Sequence, residues 1–125
     1  MTAEQALYQF WAGFGFPAFE ENSVPSGKDA PEFPYLTYSV AFAGFGDPVI
    51  LNASFYTRSP SWSQGNAFSN AAFSRLSNGG EMLAFDGGAL WLKRGTPFVS
   101  LMGDDADEMI KRVNLNLMAE MISAR

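Results

Sequence analysis

The sequence contains no cysteine and no histidine. Their absence removes thiolate nucleophiles, disulfides, imidazole bases and every zinc site built on Cys or His, so any catalysis would fall to carboxylates, Lys, Tyr or Ser. Charge is sparse as well. Charged residues make up 17% of the chain, with Lys+Arg 8 against Asp+Glu 13 and a formal net charge of -5. A lean acidic surface grips phosphate backbones poorly, because basic residues supply most of that affinity. No stretch approaches the ~20 apolar residues of a membrane span. The opening "MTAEQALYQFW" has neither a basic n-region nor an uninterrupted apolar run, so no signal peptide is expected and synthesis in a cytoplasm is.

What is present is enough for one packed domain: 125 residues, 47% of them hydrophobic. Thr2 with Gln5 forms a capping-box signature, and Leu7, Phe10, Trp11 and Phe14 follow at i, i+3, i+4 and i+7, which predicts a helix ended by Gly13 and Gly15. "YLTYSVAFAGF" and "VILNASFYTRS" read as two strands around "GDP". In the second, Val49, Leu51, Ala53 and Phe55 form the expected core face, against Ile50, Asn52, Ser54 and Tyr56. "SPSWSQGNAFSNAAFSRLSNGG" predicts a second helix, with Pro60 in its first turn or a Ser61–Gln64 capping box, an apolar face of Trp62, Phe68, Ala72 and Leu76, and Gly79 as terminator. "EMLAFDGGALWLKRG" reads as a hairpin turning at Asp86-Gly87-Gly88 and ending in Lys93-Arg94-Gly95.

The last segment, "DEMIKRVNLNLMAEMIS", fits two periods. Helical spacing joins Ile110, Val113, Leu117 and Met121; period two joins Val113, Leu115, Leu117, Ala119 and Met121 against Arg112, Asn114, Asn116 and Glu120. We take the strand, because "VNLNL" alternates without a lapse and asparagine is a poor helix-interior residue. The expected fold is α+β: a mostly antiparallel sheet of about five strands with two helices packed on one face.

Constellations for chemistry are thin. Glu20 and Glu21, adjacent on an extended segment, point apart and lack the fixed separation that paired-acid hydrolysis needs. "DDADE", Asp104 to Glu108, has acidic density but not the glycine and bidentate glutamate of a calcium loop, so it reads as a solvated turn. The glycine clusters lack phosphate-loop spacing. Lys93-Arg94 and Lys111-Arg112 are basic doublets whose members face opposite ways on a strand, suited to ion pairs between subunits or to plain surface charge. No catalytic, cofactor-binding or metal-binding residue is assigned.

Aromatic residues, 15% of the chain, carry more information. Several fall in irregular sequence: Phe16, Phe19, Phe33, Tyr35 and Phe45. The segment 16–34 is acidic, interrupted by Pro17, Pro25, Pro31 and Pro34, and far longer than the ~4–6 residues of an ordinary connection. It reads either as a cover folded back over its own sheet or as a contact loop. In the second reading Phe16, Phe19, Val24, Phe33 and Tyr35, with Lys93 and Arg94, meet a partner, and Pro34 pins the loop's entry into the sheet by fixing its own φ and holding Phe33 extended.

Taken together, "ALYQFWAGFGFPAF", the "VP" of the acidic loop, "FPYLTYSV", "SPSW" and "DGGALWLKRGTPF" resemble the small tail-completion proteins of long-tailed bacteriophages, above all the tail terminators, over about Ala6 to Leu117. The resemblance implies a structural protein of the virion tail or neck and no enzyme. It implies a homo-oligomeric ring, commonly a hexamer, that caps the finished tail tube and joins it to the head connector. Its implied partners are further copies of itself, the tail tube protein and the connector or stopper protein. Genomic DNA would pass through the lumen without specific binding, and no cofactor or membrane is involved. Neighbouring neck proteins of similar size (connector, stopper or minor tail component) are the alternative within this class. A monomeric protein-binding module is the alternative outside it, followed by a carboxylate-dependent hydrolase.

Overall fold

A computed structural model describes residues 1–123. Helix α1 runs Ala3–Ala12 behind the expected cap: the Thr2 hydroxyl accepts from the Gln5 amide and the Gln5 side chain accepts from the Thr2 amide. Its buried side is Ala3, Ala6, Leu7, Phe10 and Trp11, and the chain leaves it through Gly15 at φ 91°. The strands are β1 (Ala18–Glu20), β2 (Tyr35–Tyr38), β3 (Val49–Arg58), β4 (Glu81–Phe85), β5 (Gly88–Gly103) and β6 (Ile110–Ser123), with helix α2 (Ser63–Arg75) between β3 and β4. They form one six-stranded sheet in the order β1-β2-β3-β6-β5-β4. Every pairing is antiparallel except β1 with β2.

The expected α+β architecture is present, with six strands in place of about five. The extra strand, β1, lies inside the segment expected to be loop. Residues 16–34 are therefore not uniformly irregular: Ala18–Glu20 pairs with Leu36–Tyr38, and a single 3-10 turn occupies Gly27–Asp29.

The C-terminal segment is a strand, as its alternation requires. Val113, Leu115, Leu117 and Ala119 are buried and lie opposite Phe55, Ala53, Leu51 and Val49 of β3. Leu36 and Tyr38 of β2 and Leu90 and Leu92 of β5 extend the same face, and α1 and α2 cover it with Leu7, Phe10, Trp11, Phe68, Ala72 and Leu76. Stacking of Phe55 on Phe68, with centroids 4.4 Å apart at 9°, joins sheet to helix at the centre of this core.

Three boundaries differ from the sequence-based expectation, each for a local reason. Strand β2 ends at Tyr38 instead of continuing to Phe45. The Ser39 hydroxyl takes the Asn52 amide (2.8 Å) where a main-chain carbonyl would have served, which closes the ladder; Val40 and Phe42 then pack against the core from irregular chain. Helix α2 begins at Ser63, without the Ser61–Gln64 box, because Ser59 and Ser61 use their hydroxyls on the Ser61 and Ser63 amides (3.1 Å each) and hold the chain in successive turns. Strand β5 runs on to Gly103 rather than stopping at Gly95. Its register against β6 shifts between Arg94 and Val99, and the Asn116 side-chain amide donates to the Pro97 carbonyl (2.9 Å) across that irregularity. The β4–β5 turn uses Asp86 and Gly87, the latter at φ 95°, while Gly88 already pairs with Phe85.

Gly65 lets α2 approach the sheet: a Cβ there would lie 2.6 Å from Val113 Cγ2 and 3.9 Å from Val113 Cβ. Two effects compete in Gly65→Ala. Helix propensity favours alanine by up to ~1 kcal/mol, whereas overpacking a filled core costs ~1–3 kcal/mol. Gly65→Ala is predicted to destabilise the wild type, yet to stabilise a Val113→Ala background, where the clashing methyl is gone. Denaturant midpoints of the four proteins check this; the same sign in both backgrounds would contradict the packing described.

Candidate interaction face

Both helices sit on one side of the sheet, so the alternation that buries Leu51, Ala53 and Phe55 turns their neighbours to the other side, where no helix lies. Strand register brings the residues of this open face into rows. Tyr35, Tyr56, Arg112 and Met102 make one, and Thr37, Ser54, Asn114 and Ser100 the next. Ile50 and Met118 pair beyond them, as do Met82 and Trp91 at the β4 end.

An aromatic chain crosses the first row. Tyr35 stacks on Tyr56 with centroids 5.1 Å apart at 20°, and receives Phe33 at 5.5 Å and Phe19 at 6.4 Å. The Arg112 guanidinium lies 5.8 Å from the Tyr56 ring. Arg112 Nε donates to Ser54 Oγ (3.0 Å), which donates in turn to Asn114 Oδ1 (3.1 Å). These groups floor a recess of about 270 Å³ with Glu21, Thr37, Asn52 and Met102 on its walls. Among the described residues no carboxylate forms an ion pair with Arg112, whereas Arg58 has Asp107 and Arg75 has Glu81.

Past this polar zone the face becomes apolar. Ile50 is 68% exposed and Met118 37%, and the two border a second recess of about 350 Å³ with Gly95, Thr96, Asn116 and Leu117. A 68% exposed isoleucine on a mid-sheet position has lost most of the stabilisation that burial would bring, roughly 1.5–3 kcal/mol for a fully covered side chain.

The sequence-predicted contact residues separate into groups. Phe19, Phe33 and Tyr35 come together on the open face. Phe16 does not join them: its ring meets Phe55 at 4.8 Å and Phe68 at 6.4 Å, on the helix side. Val24 is half-buried in the connection between β1 and β2. The basic doublets split as alternation demands. Lys93 lies over Trp91 (4.0 Å), while Arg94 lies over Phe73 (4.0 Å) beside Phe98 on the helix side. Lys111 faces Trp62 and Arg112 the open face.

The acidic candidates are occupied locally. Glu20 accepts from the Asn22 amide, the Asn22 side chain and the Ser23 hydroxyl, while Glu21 points into the recess, so the two do not act as a pair. Asp104 accepts the Ala106 and Asp107 amides and Asp107 accepts the Met109 amide, which makes "DDADE" a self-capped turn. That amide bond, seconded by Arg58, holds the Asp107 carboxyl below its ordinary value.

Tyr56, Ser54 and Asn114 were not singled out from sequence as site residues, and Arg112 only as a member of a basic doublet. The signal was the period-two pattern itself, which assigns all four to the non-core face. In comparisons with protein-family models, curated proteins and solved structures, nothing matches this chain. Fold and site together define an α+β sheet protein with one face covered by helices and one face that no element of the described residues covers.

Burial, followed by the neighbouring Tyr56 phenol, raises the Tyr35 pKa above 10.0. The folded state thus favours neutral Tyr35, and the sign follows: this contribution to stability is complete below the unfolded value of about 10 and is lost as pH rises through the folded one. Burial raises the Tyr38 phenol as well, so spectrophotometric titration should show two late-ionising phenols, of which Tyr35→Phe removes one. An unchanged late component in that variant would contradict the stacked arrangement.

Proposed function

We propose that this chain is a structural subunit of a long-tailed phage particle, assembling into a ring that ends the tail tube and joins it to the head connector. The observation that carries the proposal is the bare sheet face, where Phe33 and Met102 stand exposed with the Tyr35–Tyr56 stack at one end and Ile50, Met118 and Met82 stand exposed at the other. Antiparallel sheets do present one face to water, but that face is ordinarily polar. Apolar and aromatic groups left exposed on both sides of a polar row mark a surface that is covered in the working state.

The resemblance to tail terminators supplies the kind of assembly. Its motifs fall in α1, the acidic segment with β1, β2, the turns that lead into α2, and the β4–β5 hairpin. Acidic composition agrees with a lumen through which DNA passes without the counterion-releasing contacts of basic surfaces, and the split doublets Lys93-Arg94 and Lys111-Arg112 leave no basic stripe on either face. The polar recess, with hydroxyl and amide groups, Glu21 at its wall and Arg112 free of an ion pair among the described residues, suits a partner's polar side chains rather than turnover of a substrate. In this reading the protein resides in the tail or neck of the virion, and its activity is assembly.

The test is removal of the protein from an assembling phage that encodes it. Filled heads with unjoined tails, or tails of abnormal length, are the expected products in electron micrographs. Joined tails of normal length would overturn the reading.

A further inference from the structure

The outer edge of the sheet beyond β4 is bare. Strand β4 covers β5 only from Gly88 to Leu92, so from Lys93 to Gly103 no strand of the described residues pairs with the side of β5 away from β6. This edge reads "FVSLM" from Phe98 to Met102, uncharged, with Leu101 51% and Met102 40% exposed. Free edges of this length and polarity template further strands, and proteins ordinarily blunt them with charge, proline or a covering element. At the β4 end such a cover exists: the Met1 carbonyl accepts the Asp86 amide and the Met1 ammonium pairs with the Asp86 carboxylate at 2.6 Å. Pro97 and the register shift interrupt the edge before Val99, but among the described residues no strand or terminus pairs with the stretch that follows, to Met102.

The opposite edge of the same sheet is β1, also open on its outer side. Charge differs between the two edges and along the second. Around β1 lie Glu20, Glu21, Asp29 and Glu32 against Lys28, while the bare stretch of β5 starts at Lys93 and Arg94, which stack on rings and form no ion pair among the described residues, and is followed by Asp104 and Asp105, so that only its Lys93 end suits an acidic segment.

We infer that the β1 edge of one copy adds to the Phe98–Met102 edge of the next, so that the sheet continues from subunit to subunit. The inference rests on the ring reading and specifies its joint. Two different edges meeting head to tail form a heterologous contact, the kind that closes into rings. Main-chain hydrogen bonds provide the attachment, as in other strand additions. The acidic segment 16–34, which precedes β2, is then placed against Lys93 and Arg94 of the neighbour. The same step hides Leu101 and Met102 from water.

The absence of native cysteine makes a clean test. Within one chain β1 and β5 are separated by four strand spacings, about 19 Å at ~4.8 Å each, well beyond the ~7 Å limit between Cα atoms for a disulfide. Full-length proteins would carry Phe19→Cys combined in turn with Ser100→Cys, Leu101→Cys or Met102→Cys. They would be oxidised and run on non-reducing gels, alongside each single variant and a native mass measurement of the wild type. The expected result is a ladder of covalent multimers from at least one pair, ending at the native ring size, with none from the single β5 variants. Covalent dimers from a single β5 variant would mean that like edges meet, and would overturn the inference. A wild-type ring whose cysteine pairs all stay reduced would overturn this joint while leaving the ring itself standing, whereas a wild-type monomer overturns both.

Discussion

Strand β6 is paired on both sides, to β3 over Ile110–Ala119 and to β5 over Lys111–Ser123 with one register shift between Arg94 and Val99. Register in a sheet has a period of two, so a slip of one residue would exchange its faces. Fixing Val113, Leu115, Leu117 and Ala119 against the helices therefore also fixes Arg112, Asn114, Asn116 and Met118 on the opposite side. The core and the open face are two consequences of one pairing. Gly65, Gly88 and Gly95 allow the close approaches that keep it in place, since an added Cβ would meet Val113, the Ile122 carbonyl or the Asn116 carbonyl respectively.

Helix supply then sets the character of the protein. Two helices cover one face of a six-stranded sheet, and nothing in the described chain covers the other. A chain of this size could hold a solvated second face simply by making it polar. This one does so in the row Thr37–Ser54–Asn114–Ser100, where the Ser54 hydroxyl bonds to Asn114 and to Arg112. It does not do so at Ile50, Met118 or Met82, nor along Phe98–Met102. The division between polar rows and exposed apolar ones is the physical basis of the proposal that the face and its free edge meet other subunits.

Much of this was legible in the sequence wherever a side-chain period was strong. The Thr2–Gln5 cap, the core face of β3, the Asp86-Gly87 hairpin and the strand character of "VNLNL" each followed from local chemistry. What escaped had weak or misleading local signals. Strand β1 is three residues, "AFE", among prolines and acids, and exists through parallel pairing with β2 rather than through its own alternation. Strand β5 continues through Gly95 and Pro97, residues that ordinarily end strands, because Asn116 and the β6 backbone hold it across the irregularity. Serine hydroxyls, invisible to hydrophobic period, decided the end of β2 and the start of α2. At the site, Phe19, Phe33 and Tyr35 were recognisable as excess aromatics in irregular chain, while Phe16 by the same criterion belongs to the core. Only pairing partners distant in sequence separate these cases.

The central claim is that the bare face and edge exist to be covered by other copies of the chain. Native mass spectrometry over a range of protein concentrations measures this most directly. The account predicts one discrete closed multiple of the 13.6 kDa subunit, growing in with concentration and lost when Leu101 and Met102 are both replaced by lysine, with folding retained. A species that stays at the mass of a single chain under all conditions, for the wild type as for the lysine variant, would contradict it.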